Sequence, residues 1–183
     1  MGGGLGGGSS DAATTLVALN KLWKLDLDKD TLAQIGLQLG ADVPVFVQGV
    51  AAWAEGVGDK LSMIKLDEPW FIIVIPPVSI STAEIFSNPN LQRNCIPIST
   101  HDFFMGKGVN VCESIVSQLY PEVAETIQWL NQFAPARMTG TGSSVFAALP
   151  TEREANQILL KLPKKLTGFI AQGKNNSPLY SNI

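Results

Sequence analysis

The chain opens with an unusually dense run of glycine. Gly2–Gly4 and Gly6–Gly8 flank Leu5, and Ser9 and Ser10 follow immediately before a stretch of helical periodicity. Such a run is either a flexible linker or a loop that turns successive backbone N–H groups toward one anion. No spacer separates it from the helix, whose N-terminus attracts anions through unpaired N–H groups and the helix dipole. We therefore predict an anion-binding loop, with a linker as the alternative.

Two helices are predicted after this loop. The first covers about 11–23, because its leucines recur at helical spacing, and Ser9 or Ser10 supplies its N-cap. The second covers about 30–39 and ends at Gly40 as the C′ residue. The remaining pattern predicts strands at 45–47, 51–53, 70–75, 145–149 and 167–172, and helices at about 109–119, 121–133 and 151–160. This interleaving indicates an α/β or α+β fold.

Composition excludes several classes of protein. The net charge is −3 and no dense basic face is present, so nucleic acid is not expected as a partner. The longest apolar run, Trp70–Ile75, ends at Pro76, far short of the ~20 residues that a membrane-spanning helix needs. Cys95 and Cys112 are too few for a disulfide scaffold, and we expect reduced thiols in a cytoplasmic protein. The sequence does not indicate an oligomeric state.

Two further segments are candidates for function. A second glycine-containing turn runs from Thr139 to Ser144 and precedes a predicted strand, for which it is either a tight start or part of a binding site. Asp42 follows Gly40 and Ala41 in a predicted turn. On its own, that aspartate is better explained by capping the turn than by acid–base chemistry.

Taken together, these motifs resemble those of the GHMP small-molecule kinases. The stretch GGGLGGGSSDAAT at 2–14 resembles the second motif of the family, and RMTGTGSSVF at 137–146 is similar to the third. Three more stretches agree with the same resemblance: LGADVPVF at 39–46, PVSIST at 77–82 and GKNNSPL at 173–179. The resemblance covers essentially the whole chain, with the two specific motifs in the correct order.

The resemblance implies a fold and an activity. The fold is α+β, the two-domain GHMP kinase fold, with 1–66 as the C-terminal part of the ATP-binding domain and 67–183 as the C-terminal α/β-plait domain. A composition shift near 66–69 agrees with that boundary. The implied activity is ATP-dependent, Mg²⁺-assisted phosphorylation of an alcohol on a small-molecule substrate.

The resemblance also implies site residues. Asp42 would accept the hydroxyl proton, and Ser9 or Ser10 is the candidate ligand for Mg²⁺. The residues implied to hold the nucleotide phosphates are Gly2, Gly3, Gly4, Leu5, Gly6, Gly7, Gly8, Ser9, Ser10, Gly140, Thr141 and Gly142.

The sequence departs from the family pattern at its start. Members of the family begin well before the glycine loop, and the preceding part carries a lysine near the catalytic centre and most of the substrate contacts. We therefore expect a C-terminal fragment of the kinase that is inactive by itself and whose residues 1–65 fold poorly alone. The alternatives are a non-catalytic anion- or nucleotide-binding protein and another GHMP kinase.

Overall fold

The computed structural model describes residues 3–181, and of residue 181 only the backbone. The chain forms two compact units, with boundaries after Leu5, Glu68 and Gly173. We call residues 6–68 and 174–181 the helical unit, and residues 3–5 and 69–173 the sheet unit. Within 3–181, no helix is long and apolar enough to cross a membrane.

The helical unit packs three helices around a small apolar core. Its elements are α1 (Gly7–Leu22), α2 (Lys29–Leu37), α3 (Val43–Gln48) and an antiparallel hairpin of β1 (Ala52–Glu55) and β2 (Lys60–Met63). A short 3₁₀ helix at Pro178–Ser181 belongs to the same unit. The buried cluster consists of Ala13, Val17, Leu32, Val43 and Val47.

The C-terminal segment is fixed to the helical unit by specific contacts. The Ser177 N–H donates to the carbonyl of Gly49 over 2.8 Å, and the Tyr180 hydroxyl donates to the carbonyl of Val47. The Lys29 ammonium lies 3.6 Å from the centre of the Tyr180 ring, within the range of a cation–π contact. These contacts explain why residues distant in sequence complete a unit that is otherwise N-terminal.

The sheet unit contains a four-stranded antiparallel sheet in the order β4-β5-β3-β6. Its elements are β3 (Trp70–Ile75), α4 (Thr82–Ser87), α5 (Thr100–Phe104), α6 (Val111–Leu119), α7 (Pro121–Leu130), β4 (Ala136–Met138), β5 (Val145–Leu149), α8 (Glu152–Leu159) and β6 (Thr167–Gln172). Helix α7 packs on β4 and β5, and α8 packs on β3 and β6. Ile72 and Val74 of the central strand are fully buried in this core.

Several sequence-based predictions are confirmed. Strands β3, β5 and β6 occupy the predicted residues, and the predicted helices appear as α1, α2, α6, α7 and α8 with shifted ends. The structure also contains β2, β4, α4 and α5, which the sequence pattern did not predict. The predicted domains, 1–66 and 67–183, stay a prediction, and the compact units divide the chain differently at residues 3–5, 67–68 and 174–181.

Three local predictions were wrong. Residues 45–47 form part of helix α3, because Pro44 favours the first turn of a helix and a short apolar run has no periodicity of its own. Helix α2 ends at Leu37 with Gln38 as its C-cap, so Gly40 is not the C′ residue. Helix α1 begins at Gly7 with Gly6 as its N-cap, and Ser9 and Ser10 therefore lie inside its first turn.

Candidate active site

The second half of the glycine run forms the N-terminus of α1. Gly6, the N-cap, has φ 67°, a left-handed conformation that favours glycine. The Ser10 N–H donates to the carbonyl of Gly6 over 2.9 Å, which closes the first turn. The N–H groups of Gly7, Gly8 and Ser9 precede that bond and have no acceptor within the helix. Together with the positive end of the helix dipole, they offer an anion three parallel donors.

The glycines at this helix end differ in what surrounds them. A Cβ atom on Gly6 would lie 3.1 Å from the Phe46 ring, so α3 closes the space on that side. A Cβ atom on Gly7 or Gly8 would contact nothing within 4 Å. The packing of the protein therefore does not require glycine at 7 and 8. The space at these two Cβ positions, beside the helix end, is open, and a side chain there would take it up.

The two serines lie on the next positions of the same turn. The Ser9 hydroxyl oxygen is 3.9 Å from the position that a Cβ atom of Gly40 would occupy, which places Ser9 beside the turn that leads to Asp42. Ser10 borders a cavity of about 650 Å³ within the helical unit, together with Phe46 and Asn176. Both serines are partly exposed.

Asp42 occupies the N-cap position of α3 but does not cap it. Its side chain is exposed and makes no capping hydrogen bond. Asp28 at the start of α2 behaves differently, since its carboxylate accepts a 2.7 Å hydrogen bond from the Thr31 N–H. That bond holds the pKa of Asp28 below its usual value. Capping, the structural alternative for Asp42, is therefore not what its side chain does here.

The backbone on both sides of Asp42 is held by close glycine contacts. A Cβ atom on Gly36 of α2 would lie 2.6 Å from Val43 Cγ1. A Cβ atom on Gly58, in the β1–β2 turn, would lie 2.8 Å from the carbonyl oxygen of Ala41. Only glycine permits approaches this close, so α2 and the hairpin fix the turn that carries the carboxylate.

The first half of the glycine run belongs to the sheet unit, where it packs on the second glycine turn. The Thr139 hydroxyl donates to the carbonyl of Gly4 over 2.7 Å, and the Ser144 N–H donates to the carbonyl of Gly3 over 3.2 Å. Gly4 has φ 69°, and a Cβ atom there would collide with the carbonyl of Thr139. The two glycine motifs that the sequence singled out are thus in direct contact through Gly3 and Gly4.

The predicted binding residues of the second turn have different surroundings. Gly140 is exposed, and a Cβ atom there would lie 3.3 Å from the carbonyl oxygen of Gly4. Gly142 is buried against Ile80, and Thr141 is buried with its hydroxyl oxygen 2.9 Å from that of Thr82. Gly140 therefore borders the loop, whereas Thr141 and Gly142 shape the turn from inside. Gly2 lies outside the described residues.

Two residues that support this turn were missed by the sequence reasoning. The Asn110 amide donates to the carbonyls of Met138 and Gly140, over 3.1 and 2.8 Å. The Glu113 carboxylate accepts from the Met138 N–H over 2.8 Å. The only local signal was that Asn110 is a favourable N-cap residue, since its contacts with Met138 and Gly140 span 28 and 30 residues.

Models of both domains of one kinase family match the chain. The model described as GHMP kinases N terminal domain matches residues 1–50, and the model described as GHMP kinases C terminal matches residues 101–168. Together the two matches span more than half of the chain. The chain belongs to the GHMP kinase family, which confirms both the resemblance and the α+β fold class inferred from the motifs.

Two similar relatives within that family carry the same name. The chain is 56% identical over 179 residues to 4-diphosphocytidyl-2-C-methyl-D-erythritol kinase of Nitrosococcus oceani, an alignment that covers 98% of this chain and 64% of the relative. It is 52% identical over 183 residues to the kinase of the same name from Pseudomonas syringae, with 65% of that relative covered. The chain therefore spans slightly less than two thirds of the length of these two curated relatives.

Solved structures agree with the fold. A crystal structure of 4-(cytidine 5'-diphospho)-2C-methyl-D-erythritol kinase superimposes with a TM-score of 0.75 at 28% identity, covering 95% of this chain and 68% of that one. Homoserine kinase from Cytophaga hutchinsonii gives a TM-score of 0.63 at 18% identity, covering 97% of this chain and 67% of that one. The second likeness shows the shared fold alone.

Proposed function

We propose that this chain carries the phosphate-binding loop and the proton acceptor of an ATP-dependent kinase. Its substrate is 4-diphosphocytidyl-2-C-methyl-D-erythritol, phosphorylated at the 2-hydroxyl in non-mevalonate isoprenoid precursor synthesis. The 56% identity to a relative named 4-diphosphocytidyl-2-C-methyl-D-erythritol kinase supports this assignment of the substrate. The observation that carries the chemistry is the N-terminus of α1, whose first N–H groups have no acceptor within the helix and where the Cβ positions of Gly7 and Gly8 are open.

The residues at this helix end fit the phosphates of ATP. Phosphoryl transfer asks the protein mainly to position the reactants and to neutralise developing charge. The N–H groups of Gly7, Gly8 and Ser9 supply both functions to phosphate oxygens, because they lie at the positive end of the helix dipole and no side chain at 7 or 8 crowds them. ATP supplies the γ-phosphoryl group that is transferred.

Asp42 is the proposed proton acceptor. As the new oxygen–phosphorus bond forms on the substrate hydroxyl, the bond between the γ-phosphorus and the β-phosphate oxygen of ATP breaks and ADP leaves. The O–H bond of the hydroxyl breaks as well, and its proton passes to the Asp42 carboxylate. The exposure of Asp42 and its lack of a capping bond leave the carboxylate oxygens available for this role. The close contacts of Gly36 and Gly58 keep the aspartate in one position.

Ser9 or Ser10 is proposed to contribute to the binding of Mg²⁺. Among residues 3–181, no group of three or more His, Cys, Asp or Glu side chains forms a metal cluster. Mg²⁺ in kinases commonly takes few protein ligands and completes its shell with phosphate oxygens and water. A serine hydroxyl in the first turn of α1 is suited to be one of these few protein ligands.

A thermal melt with and without Mg-ATP tests the binding step. Ligand at 100 times its dissociation constant adds about 2.7 kcal/mol to the stability of a folded binding site. We expect an upward shift of the melting temperature with Mg-ATP, and a smaller one with Mg²⁺ alone. A melt that ignores the nucleotide would overturn the phosphate-binding role.

A turnover assay tests the kinase itself. We expect no phosphorylation of 4-diphosphocytidyl-2-C-methyl-D-erythritol by the 183-residue chain alone. A chimaera that joins the preceding segment of the Nitrosococcus oceani relative to Met1 is expected to turn the substrate over, and homoserine is expected to remain unphosphorylated. A chimaera that binds Mg-ATP but transfers no phosphate would favour the non-catalytic alternative.

A further inference from the structure

A continuous set of hydrogen bonds connects helix α6 to the glycine run within the sheet unit. It starts at Asn110, the N-cap of α6, passes through the turn at 138–144 and ends at Gly3 and Gly4. Asn110 lies outside every motif that suggested function. Its distance along the sequence from the loop, more than a hundred residues, makes a local explanation impossible.

The side-chain amide of Asn110 acts both as a hydrogen-bond acceptor and as a donor. Its Oδ1 accepts from the Cys112 N–H over 3.0 Å and so caps α6. Its Nδ2 donates to the carbonyls of Met138 and Gly140, and both donor hydrogens are thereby used. The cap alone needs only the acceptor. The two donated bonds fix the start of the Thr139–Ser144 turn to the helix.

Thr139 links the turn to the glycine run by a hydrogen bond. Its hydroxyl donates to Gly4, and its own carbonyl lies where a side chain of Gly4 would be. At Ser144 the backbone N–H holds Gly3, whereas the buried hydroxyl has no hydrogen-bond partner. The hydrogen bond from the Thr139 hydroxyl is therefore a side-chain contact that restrains this part of the glycine run.

The geometry points to Asn110 and Thr139 as positioning residues for phosphate binding, an inference that rests on the proposed function. Glycine loses more conformational freedom on folding than any other residue, so an unrestrained glycine loop would order only when the nucleotide binds. A loop already held at Gly3 and Gly4 avoids that cost and binds more tightly. Neither side chain needs to touch the nucleotide for this effect.

Three variants of the 183-residue chain and one control test the inference. Thr139→Val removes the hydroxyl at nearly constant shape, and Thr139→Ser retains it. Asn110→Asp keeps the acceptor that caps α6 but replaces the amide donor. The control is Thr126→Val, because the Thr126 hydroxyl also donates to a backbone carbonyl over 2.7 Å, that of Glu122 within α7.

The readouts are the dissociation constant for Mg-ATP and the hydrogen exchange of the Ser144 amide, which donates to the Gly3 carbonyl. We expect Thr139→Val, which loses one hydrogen bond, to weaken Mg-ATP binding about tenfold, or about 1.4 kcal/mol. Asn110→Asp loses two hydrogen bonds and should weaken it at least as much. Exchange of the Ser144 amide should become faster in both. Thr139→Ser should bind within about twofold of wild type, and Thr126→Val should lower stability without changing either readout.

The outcomes separate the two proposals. If the wild-type chain binds Mg-ATP and Thr139→Val binds it with the same dissociation constant, the positioning role is overturned. The proposed function is then left intact. A similar loss in Thr126→Val would also overturn the positioning role, since general destabilisation would then explain the effect. Absence of Mg-ATP binding by the wild-type chain would overturn the proposed function and this inference with it.

Discussion

Asp28 and Asp42 occupy equivalent positions at the starts of α2 and α3, and only Asp28 caps its helix. Replacing Asp28 with alanine should therefore lower the melting temperature of the helical unit by several degrees, because the Thr31 N–H loses its acceptor. Asp42→Ala should leave the melting temperature unchanged and should abolish turnover in the chimaera. Circular dichroism melts and the kinase assay measure the two effects. Equal destabilisation by both substitutions would assign Asp42 a structural role.

Asp28 also makes the stability of the helical unit depend on pH. The hydrogen bond from the Thr31 backbone lowers the pKa of Asp28 in the folded state relative to the unfolded chain. Its contribution is therefore present above the unfolded pKa and is lost as the pH falls through the folded one. Between about pH 5 and about pH 3, the melting temperature of wild type should fall more steeply than that of Asp28→Asn. Parallel curves would contradict the role of this carboxylate.

A substitution at Gly8 should affect the stability of the chain and its affinity for Mg-ATP in opposite directions. Its backbone is helical and its Cβ position is open, so Gly8→Ala should slightly raise the melting temperature of the ligand-free chain by restricting the unfolded state. The methyl group would occupy the space proposed for phosphate, and the dissociation constant for Mg-ATP should rise at least about tenfold, or about 1.4 kcal/mol. Calorimetry measures the affinity. A stabilised variant with wild-type affinity would move the phosphate site away from this helix end.

At the scale of elements, the β1–β2 turn acts as a support for the Asp42 turn. Gly58 has φ 100° and lies against the Ala41 carbonyl, whereas Gly106 has φ 77° with nothing within 4 Å of its Cβ position. Alanine at either position meets the same unfavourable backbone region, but only Gly58→Ala adds a collision. We expect Gly58→Ala to destabilise the chain more than Gly106→Ala in thermal melts. Equal losses would show that the hairpin yields without disturbing Ala41.

Elements with a strong pattern of their own could be predicted from the sequence. The continuous apolar run at 70–75 reads as a buried strand, and the capping pattern at Thr151 marks the start of α8. The run at 43–47 carries no such pattern, because five apolar residues fit a strand or a buried helical turn equally well. Contact with α1 and α2 decides in favour of the helix. Strand β4 has three residues and is defined by its pairing with β5, which no local signal reports.

At the scale of the whole molecule, the sequence motifs identified the glycine loop, the second glycine turn and Asp42, but not how the chain returns on itself. The Thr139–Gly4 hydrogen bond joins residues 135 positions apart, and the Asn175 amide pairs with Leu66 across 109 positions. The short, polar stretch at 174–177 agrees with the family resemblance, but its sequence carries no signal of where it packs. Only the three-dimensional contacts show that it completes the helical unit.

The two units should differ in stability. The sheet unit buries the central strand of a four-stranded sheet in a large apolar cluster, whereas the helical unit has a two-stranded hairpin as its sheet and a much smaller buried cluster. A two-stranded ribbon contributes little independent stability. We expect amides of α1 to exchange faster than those of β3 and β5, and Mg-ATP to slow exchange in α1 but not in β3. Mass spectrometry of exchanged peptides measures this difference. Equal protection of α1 and β3 without nucleotide would show that the helical unit is as stable as the sheet unit.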